Sequence, residues 1–589
     1  MSKYDKLVDI GRRRGLFWPS YEIYGGVAGL YDYGHVGVTI KRAIVQQWIK
    51  YFIDQRDGLV VEIESPIITP RIVLKASGHE EHFTDPITEC TKCGRVFRAD
   101  HLVEEQAGIR AEGLDMEKLW EIMVKHGVKC PVCGGELTKP RPALLLFKTE
   151  IGPYKGSPGY LRPETAQGMF VSFKNVLTAA RNRLPLGIAQ IGRVGRNEIS
   201  PRQGLMRLRE FTIMEVEFFF DPLKAEEEAR RHLTEEILNY RVNVLSAEDK
   251  LKGVEEAKPY TIRELIEKRI VLNPWMAYWM AIGNMFLEEL GIPPEKIRFD
   301  EKLPEEKAHY SEQTFDQEVY TEKYGWVEVA GYSYRTTYDL GRHMEYSGAD
   351  LTFFRRYPEP KIVKKKKIYP NPQRIREITG KDMPEVMKKL KEMKSEEILA
   401  SIEKTGYVEI LGYRLDETAF HIKVVEEKVH GEKFIPHVVE PSFGLERILY
   451  VLLENSITEE EDRVYLKLKP LIAPYHVAVY PLVAGSKKEH AEIRNTALRL
   501  AKALREAGFR VYYDEDGSIG RRYMRGDEIG IPYAITIDYQ TLEDKTVTIR
   551  DRDTRKQIRV GIVELYDKLV ELLGMESEWQ NIIQRHMLI

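Results

Sequence analysis

The length, composition and charge of the chain limit the kind of protein it can be. At 589 residues it is several times longer than one hydrophobic core requires, so we expect two or three domains. A content of 43% hydrophobic and 31% charged residues is typical of a globular protein and excludes a disordered one. The net charge of −3 excludes a chain that binds nucleic acid over its whole surface, so such binding requires local basic patches.

The N-terminus and the hydropathy pattern bear on location. No stretch of about 18 uninterrupted apolar residues occurs in the sequence, which argues against a membrane-spanning segment. The first residues carry positive charges, but neither an apolar run nor a small-residue cleavage site follows them. We therefore expect a cytoplasmic protein that does not contact membranes.

The first block of the chain predicts a long helix followed by a strand. After a glycine-rich stretch from Tyr24 to Gly34, apolar residues recur at helical spacing, at Ile40, Ala43, Ile44, Trp48, Ile49 and Phe52. Gly58 lies a few residues beyond this pattern and marks its end. The residues from Val60 to Glu64 then predict a strand, and the chain leaves the sheet at the prolines that follow.

The rest of the chain divides into blocks of different character. Two strands separated by a loop are predicted between 186 and 220, with Pro201 and Gly204 in the loop. Segment 223–320, mostly helical and charged, and segment 351–430 are predicted to be insertions. The second insertion contains the lysine run Lys364–Lys367, which we interpret as a solvated loop. From 471 to 589, β-α-β alternation predicts a separate α/β domain.

All four cysteines fall in two C-x-x-C-G turns, one with Cys90 and Cys93 and the other with Cys130 and Cys133. Each turn directs two thiolates at one ion, so the two turns predict a closed tetrahedral site for a structural Zn²⁺. Four thiolates leave no open position, and a catalytic zinc is therefore not expected. A disulfide or a redox motif is the alternative, which a cytoplasmic location disfavours. We assign 85–145 to a zinc-binding insertion.

Two histidines near this insertion resemble a metal-binding helix only superficially. His79 and His82 are three residues apart, whereas the metalloprotease pattern requires a spacing of four. We therefore predict that neither histidine binds a metal.

The strand pair between 186 and 220 predicts a nucleotide site without a glycine-rich loop. Neither the P-loop signature nor the dinucleotide fingerprint occurs in the sequence. Period-two alternation places Arg196 and Glu198 on one face. On the return strand it places four residues on a common face, Arg207, Arg209, Phe211 and Glu215. Guanidinium groups bind phosphate and a phenyl ring stacks on a base, although a salt-bridged sheet surface is the alternative for any single residue.

Three motifs in order resemble those of the class II aminoacyl-tRNA synthetases. The string from Arg196 to Phe211 resembles motif 2, and the helix that opens at Gly444 resembles motif 3. The long helix and the strand that ends at Pro66 resemble motif 1, which in that family builds a homodimer interface. The resemblance implies an α/β (α+β) fold with an antiparallel-sheet catalytic domain at 1–470 that carries the insertions. A C-terminal α/β anticodon-binding domain would follow at 471–589.

The resemblance also implies roles in ATP binding. Arg196 would hold the α-phosphate, Glu198 the adenine amino group and Phe211 the adenine ring. Arg207 and Arg447 would contact the γ-phosphate, and Arg196 and Arg447 would be the catalytic residues. The remaining ATP-binding residues implied in this way are Asn197, Met206, Glu328, Val329 and Gly444.

A site for glycine must recognise an ammonium and a carboxylate while it excludes any side chain. The strings around Glu164 and around Glu440 are similar to those of the archaeal and eukaryotic type of glycyl-tRNA synthetase, and this similarity covers nearly the full chain. In that family the ammonium partners correspond to Glu215, Glu440 and Ser442. The complete glycine-binding set that we expect is Arg98, Glu164, Phe211, Glu215, Arg335, Glu440 and Ser442.

The implied reaction has two steps. Glycine and ATP form glycyl-adenylate, with Arg196 and Mg²⁺ stabilising the charge at phosphorus, and the 3′ end of tRNA(Gly) then accepts the glycyl group. No editing domain is expected, because no amino acid smaller than glycine exists to enter the pocket. Contacts with the anticodon are expected from Arg521, Arg522 and Arg525, with a solvated helix face as the alternative.

Two other functions remain open at the level of the sequence. A class IIa synthetase for proline, threonine or histidine would share the three motifs but would lack the acidic glycine set. A non-catalytic relative that binds nucleic acid, such as the synthetase-like accessory subunit of a mitochondrial DNA polymerase, should have lost the ATP residues. This chain retains them at Arg196, Glu198, Phe211 and Arg447.

Overall fold

The computed structural model describes residues 2–574 except 110, 112, 154, 155, 200, 202, 203, 305 and 484–487. The chain forms two structural units, of which the first comprises Met1–Leu351 with Pro436–Ile589 and the second comprises Thr352–Ile435. No helix among the described residues is both long enough and apolar enough to cross a membrane.

A nine-stranded sheet is the main element of the first unit. Its strand order is Lys258–Thr261, Arg241–Leu245, Ile297–Glu301, Gln313–Thr321, Gly325–Thr336, His437–Gly444, Glu210–Phe220, Leu186–Gly195 and Val60–Glu62. The strands pair antiparallel except where Val60–Glu62 joins Leu186–Gly195 and where Arg241–Leu245 joins Ile297–Glu301. The α/β class with a mainly antiparallel sheet, predicted from the sequence, is therefore confirmed.

Two long helices pack on one face of this sheet. The first, His35–Phe52, matches the helix that the apolar spacing predicts, and its Phe52 ring contacts the ring of Phe443 on the sheet. The second, Pro274–Leu290, begins where Asn273 accepts a hydrogen bond from the N–H of Met276. Because these rings fill one face with apolar contacts, the polar residues of the same strands lie on the other face.

Segment 223–320 contains more strand than the sequence analysis predicts. Its helices are Ala225–Arg230, Glu235–Asn239, Ala247–Leu251, Ile262–Glu267 and Pro274–Leu290. Four of its strands, however, lie between one edge and the middle of the main sheet. In these strands single apolar residues such as Val242, Val244 and Phe299 alternate with polar ones and are buried. The charge-rich composition obscured this period-two pattern.

Two small sheets and a helical knob occupy 68–161. One sheet consists of Ile68–Pro70, Ser157–Leu161 and Lys148–Ile151, and the other of Thr84–Glu89, Val96–Arg98 and Arg141–Leu144. The knob adds the helices Ala99–Ala107 and Met116–Lys125, which pack through Leu102 and Leu119. The strand Thr84–Glu89 leads directly into the first cysteine turn.

The C-terminal part of the first unit contains a five-stranded sheet of its own. Its strand order is Val511–Tyr513, Val477–Pro481, Tyr533–Ile537, Thr546–Asp551 and Gln557–Gly561. Helices Lys488–Glu506 and Leu565–Leu573 pack on it through Ile493 and Leu569, among others. This is the β-α-β alternation predicted from the sequence, and the arginine-rich segment forms a further helix, Ile519–Glu528.

The second unit is built on a long two-stranded ribbon. Strand Phe353–Pro370 pairs antiparallel with Phe420–Phe434, and the chain between them forms helices Pro372–Thr379, Met383–Glu392 and Ser395–Thr405 and a hairpin of Tyr407–Ile410 with Tyr413–Asp416. The lysine run lies on the first strand, which corrects the prediction of a loop. Glu427 on the facing strand lies 3.4 Å from the ammonium of Lys365, and such cross-strand ion pairs favour the strand.

Candidate active site

A polar cavity of about 370 Å³ opens on the face of the main sheet away from the two long helices. Its walls come from strands Glu210–Phe220, Gly325–Thr336 and His437–Gly444 and from the start of helix Leu445–Ser456. The predicted residues that line it are Glu164, Arg196, Glu198, Met206, Arg207, Phe211, Glu215, Glu328, Val329, Glu440, Ser442, Gly444 and Arg447. Most of the predicted site residues therefore meet in one place.

Strand register creates a row of cavity-lining residues across the sheet. Glu215 is the cross-strand partner of Ser442, which is the partner of Gly331, which in turn is the partner of Asp316. Residues paired in this way share a face of the sheet, so they stand side by side along the cavity floor. The row joins residues more than a hundred positions apart in the chain.

One end of the cavity is acidic, and its carboxylates are held by hydrogen bonds. Glu215 accepts from the N–H of Thr165 at 2.8 Å and from the hydroxyl of Ser442 at 2.7 Å. Glu164 lies 3.2 Å from Nε2 of His79, and although burial raises its pKa, His79 and Arg335 hold that pKa below the usual range. Both carboxylates are buried.

Arg335 lies behind this end rather than in the cavity wall. Its guanidinium donates to Glu440 at 2.9 Å and to both oxygens of Asp339 at 2.8 and 2.9 Å, and its side chain is only 1% exposed. Despite this cation, burial raises the pKa of Glu440 to about 7. Arg335 thus connects the strand Gly325–Thr336 to the acidic end through charge.

Glu217 is an acidic neighbour that the sequence analysis missed. It is fully buried, and within the described part of the chain neither of its carboxyl oxygens has a hydrogen-bond partner. Burial, followed by the charge of Glu440, raises the pKa of Glu217 well above the usual range. The acidic end therefore holds more carboxyl groups than cations, an arrangement that a bound ammonium ion would balance.

The opposite end of the cavity carries three guanidinium groups. Arg196 donates from Nε to the carbonyl of Pro163 at 3.0 Å and lies over the ring of Phe211, 5.2 Å from its centroid. Arg207 donates to Glu198 at 2.6 Å, and Arg447 donates to the Glu328 carboxylate at 2.8 Å. Cations held in this way at a cavity wall suit a polyphosphate.

Asp85 is a second residue that the sequence analysis missed. Its carboxylate lies 3.1 Å from a guanidinium nitrogen of Arg207 and 3.2 Å from one of Arg98. Arg98, predicted at the glycine, is not among the residues that line the cavity and also donates to Asp100 at 2.9 Å. No motif marks Asp85, because its partners are far away in sequence.

Two other predictions of residue placement need comment. Asn197 does not line the cavity, and its backbone N–H donates to the carbonyl of Leu145 at 2.7 Å. Arg209 does not share the cavity-facing side with Phe211, because the regular strand begins only at Glu210. Its guanidinium instead donates to the carbonyl of Ala28 at 2.8 Å.

The four cysteines lie together in the knob. Their sulfur atoms all lie within 4.8 Å of one another, and none forms a disulfide. The pair Cys90 and Cys133 is separated by 3.4 Å and the pair Cys93 and Cys130 by 3.8 Å. No other such group of metal ligands occurs among the described residues, and neither His79 nor His82 belongs to this one.

Of the three arginines predicted to contact the anticodon, one lies inside the protein. Arg522 is 1% exposed and donates to the carbonyl of Gly517 at 2.8 Å, so the prediction that it contacts tRNA is corrected. Arg525 is half-buried and donates to Asp514 at 2.7 Å. Arg521 is exposed on the same helix.

Comparison with known proteins identifies the family. The profile of the "tRNA synthetase class II core domain (G, H, P, S and T)" matches residues 147–456, and that of the "Anticodon binding domain" matches residues 476–572. A glycine–tRNA ligase of Aeropyrum pernix is 52% identical over 96% of this chain and 96% of its own. That of Thermococcus sibiricus is 52% identical over 97% and 99%, and that of Methanocaldococcus jannaschii is 45% identical over 97% and 99%.

A solved structure agrees with this result at the level of the fold. The prolyl-tRNA synthetase of Giardia lamblia in complex with prolyl-adenylate aligns with a TM-score of 0.52 and 14% identity, over 97% of this chain and 79% of that one. The resemblance based on the three motifs is thus confirmed by relatives that share almost the full length. The chain therefore belongs to the class II aminoacyl-tRNA synthetases, in the family of the glycine–tRNA ligases.

Proposed function

We propose that this chain activates glycine with ATP and transfers the glycyl group to tRNA(Gly). The observation that carries the proposal is a single cavity with a carboxylate-rich end and an arginine-rich end. The acidic end suits the ammonium of an amino acid, and the arginines suit a triphosphate. The substrate named for the relatives is the smallest amino acid, which is consistent with a crowded acidic end.

Each end takes specific parts of the two substrates. The glycine ammonium binds Glu215, Glu440 and Ser442, with Glu164 beside them, so that its carboxylate points toward Arg196. Arg196 holds the α-phosphate, and the adenine ring stacks on Phe211 while Glu198 accepts from its amino group. The other proposed ATP-binding residues are Asn197, Met206, Arg207, Glu328, Val329, Gly444 and Arg447.

The chemistry requires positioning and charge rather than a protein nucleophile. The glycine carboxylate attacks the α-phosphorus and pyrophosphate leaves, with Arg196 and Arg447 stabilising the negative charge that develops. The carboxylates of Glu328 and Asp316 line the cavity and offer the oxygen ligands that Mg²⁺ prefers. The ion would neutralise phosphate charge there.

We further propose that the cysteine cluster holds a structural Zn²⁺. Tetrahedral coordination with Zn–S bonds of about 2.3 Å places the sulfur atoms about 3.8 Å apart. The separations of 3.4 and 3.8 Å fit this geometry and exceed the length of a disulfide bond. Four thiolates close the coordination shell, so the ion stabilises the knob and takes no part in catalysis.

The protein is proposed to act as a cytoplasmic homodimer. Several apolar side chains in the region that resembles motif 1 are exposed in the single chain, among them Ile23 at 88%, Tyr24 at 85% and Ile72 at 53%. Burial of such side chains against a second copy would remove them from water. The C-terminal part, 471–589, is proposed to bind the anticodon of tRNA(Gly), with Arg521 on its surface.

Exchange of radioactive pyrophosphate into ATP tests the activation step. The full-length protein should support exchange with glycine and not with proline, threonine or histidine. Exchange with one of these three instead would indicate a different class IIa synthetase, and no exchange with any amino acid would indicate a non-catalytic relative. Attachment of labelled glycine to tRNA(Gly) then tests the transfer step.

A further inference from the structure

Gly331 is a glycine that the free protein does not need. It lies within strand Gly325–Thr336, outside the positive-φ region that side chains avoid. A Cβ built at this position meets no heavy atom within 4 Å. Neither the backbone conformation nor the packing explains glycine here, and glycine inside a strand is otherwise unfavourable.

Other glycines around the sheet are explained by packing. A Cβ at Gly192 would lie 1.9 Å from a guanidinium nitrogen of Arg162, and one at Gly283 would lie 1.7 Å from the hydroxyl of Tyr332. In these places the absence of a side chain makes room for a protein group. At Gly331 the space is open and belongs to the cavity.

The position of Gly331 in the cavity floor indicates what could use the space. It separates Ser442 from Asp316 in the row of cross-strand partners, so it leaves a gap between two polar side chains. On one side of the gap Ser442 donates to Glu215 at 2.7 Å. On the other side the ammonium of Lys302 lies 2.7 Å from Asp316.

We propose that Gly331 is a specificity-determining residue that forms the floor of the glycine subsite. The missing side chain provides the space in which the substrate lies once its ammonium binds next to Ser442. A methyl group at position 331 would compete with the substrate for this space. The inference deepens the proposed function and depends on glycine being the amino acid that is activated.

The test is Gly331→Ala in the full-length protein, assayed by pyrophosphate exchange. One added methyl group in a filled amino-acid subsite reduces use of the substrate by about tenfold or more, so the KM for glycine should rise by at least about tenfold. The KM for ATP should stay within about twofold of the wild-type value, because the nucleotide loses no contact. The melting temperature should be unchanged or higher, because alanine restricts the unfolded chain more than glycine does.

Gly520→Ala is the matched control. Gly520 is exposed on helix Ile519–Glu528 in the C-terminal part, and a Cβ there also meets no heavy atom within 4 Å. This variant makes the same chemical change without adding a group to the cavity. It should keep the wild-type KM for both substrates.

Three results for Gly331→Ala would overturn the inference. An unchanged KM for glycine would mean that the space is unused, and a rise in the KM for ATP alone would assign it to the nucleotide. A lower melting temperature would mean that the glycine is structural. If the wild-type protein itself shows no exchange with glycine, the proposed function fails; if it does and Gly331→Ala matches it, only this inference fails.

Discussion

At the scale of single residues, burial determines how the acidic end of the cavity is charged. Arg335 is the buried cation among the carboxylates and also lies over the ring of Tyr310, 3.7 Å from its centroid. Removing one member of a buried charge pair leaves its partner uncompensated, which is strongly destabilising. Arg335 is therefore a poor target for kinetic tests, and the residues that line the cavity are better ones.

Arg196 offers the clearest test of the phosphate end. Arg196→Ala should reduce pyrophosphate exchange by at least about a hundredfold, because it removes a charge-assisted contact to the α-phosphate. Arg196→Lys should recover only part of the loss, since lysine keeps the charge but cannot bind in a bidentate manner. The exposed Arg499 provides the control, and Arg499→Ala should behave as wild type. Near-normal exchange in Arg196→Ala would contradict the assignment.

The ionisation of Glu440 predicts how glycine use depends on pH. Burial raises the pKa of Glu440 to about 7, so below this pH the carboxyl is largely protonated in the free protein and attracts an ammonium poorly. The kcat/KM for glycine should therefore rise between about pH 6 and pH 8 and then level off. Glu440→Gln should remove this rise. A flat profile in the wild-type protein would mean that Glu440 does not take part in ammonium binding.

At the scale of secondary-structure elements, one strand connects the cysteine knob to the phosphate end of the cavity. Strand Thr84–Glu89 carries Asp85, which contacts Arg207 and Arg98, and it runs directly into Cys90. A knob of this size has a small core, so a metal ion should contribute to its stability. Loss of the ion should then disturb the strand and, through it, Arg207.

Removal of the metal tests this connection. We expect elemental analysis to find one zinc ion per chain, and we expect Cys93→Ser to lose it. That variant should show a higher KM for ATP, because Arg207 is no longer held by Asp85, while the KM for glycine should change less. Asp85→Asn should raise the KM for ATP while retaining zinc. An active wild-type protein that contains no zinc would contradict the prediction.

At the scale of the whole molecule, exposed apolar side chains in the motif 1 region favour a dimer. Sedimentation should give a mass of two chains of 68.4 kDa each. Ile68→Asp and Ile72→Asp should shift the protein toward monomers, because a charge at an apolar interface is costly to bury. Leu411→Asp, at an exposed residue of the second unit, is the control and should leave the mass unchanged. A fully active monomeric wild-type protein would exclude this proposal.

The sequence by itself determined the parts of this protein that depend on local pattern. The helix His35–Phe52 follows from apolar residues at a period of 3.6, and the cysteine cluster follows from two short turns. Residues of motif 2 meet in the cavity because they lie on the two arms of one hairpin, whose pairing is local in the chain. For these features, spacing along the chain fixes proximity in space.

Only the tertiary structure decided the features that depend on contacts between distant segments. Asp85 reaches Arg207 across more than a hundred residues, and Gly331 stands beside Ser442 only through the register of two strands. Arg522 belongs to an arginine-rich segment that reads as exposed, yet folding buries its guanidinium against backbone carbonyls. Burial and register are properties of the packed chain, because each is set by neighbours whose identity no local pattern specifies.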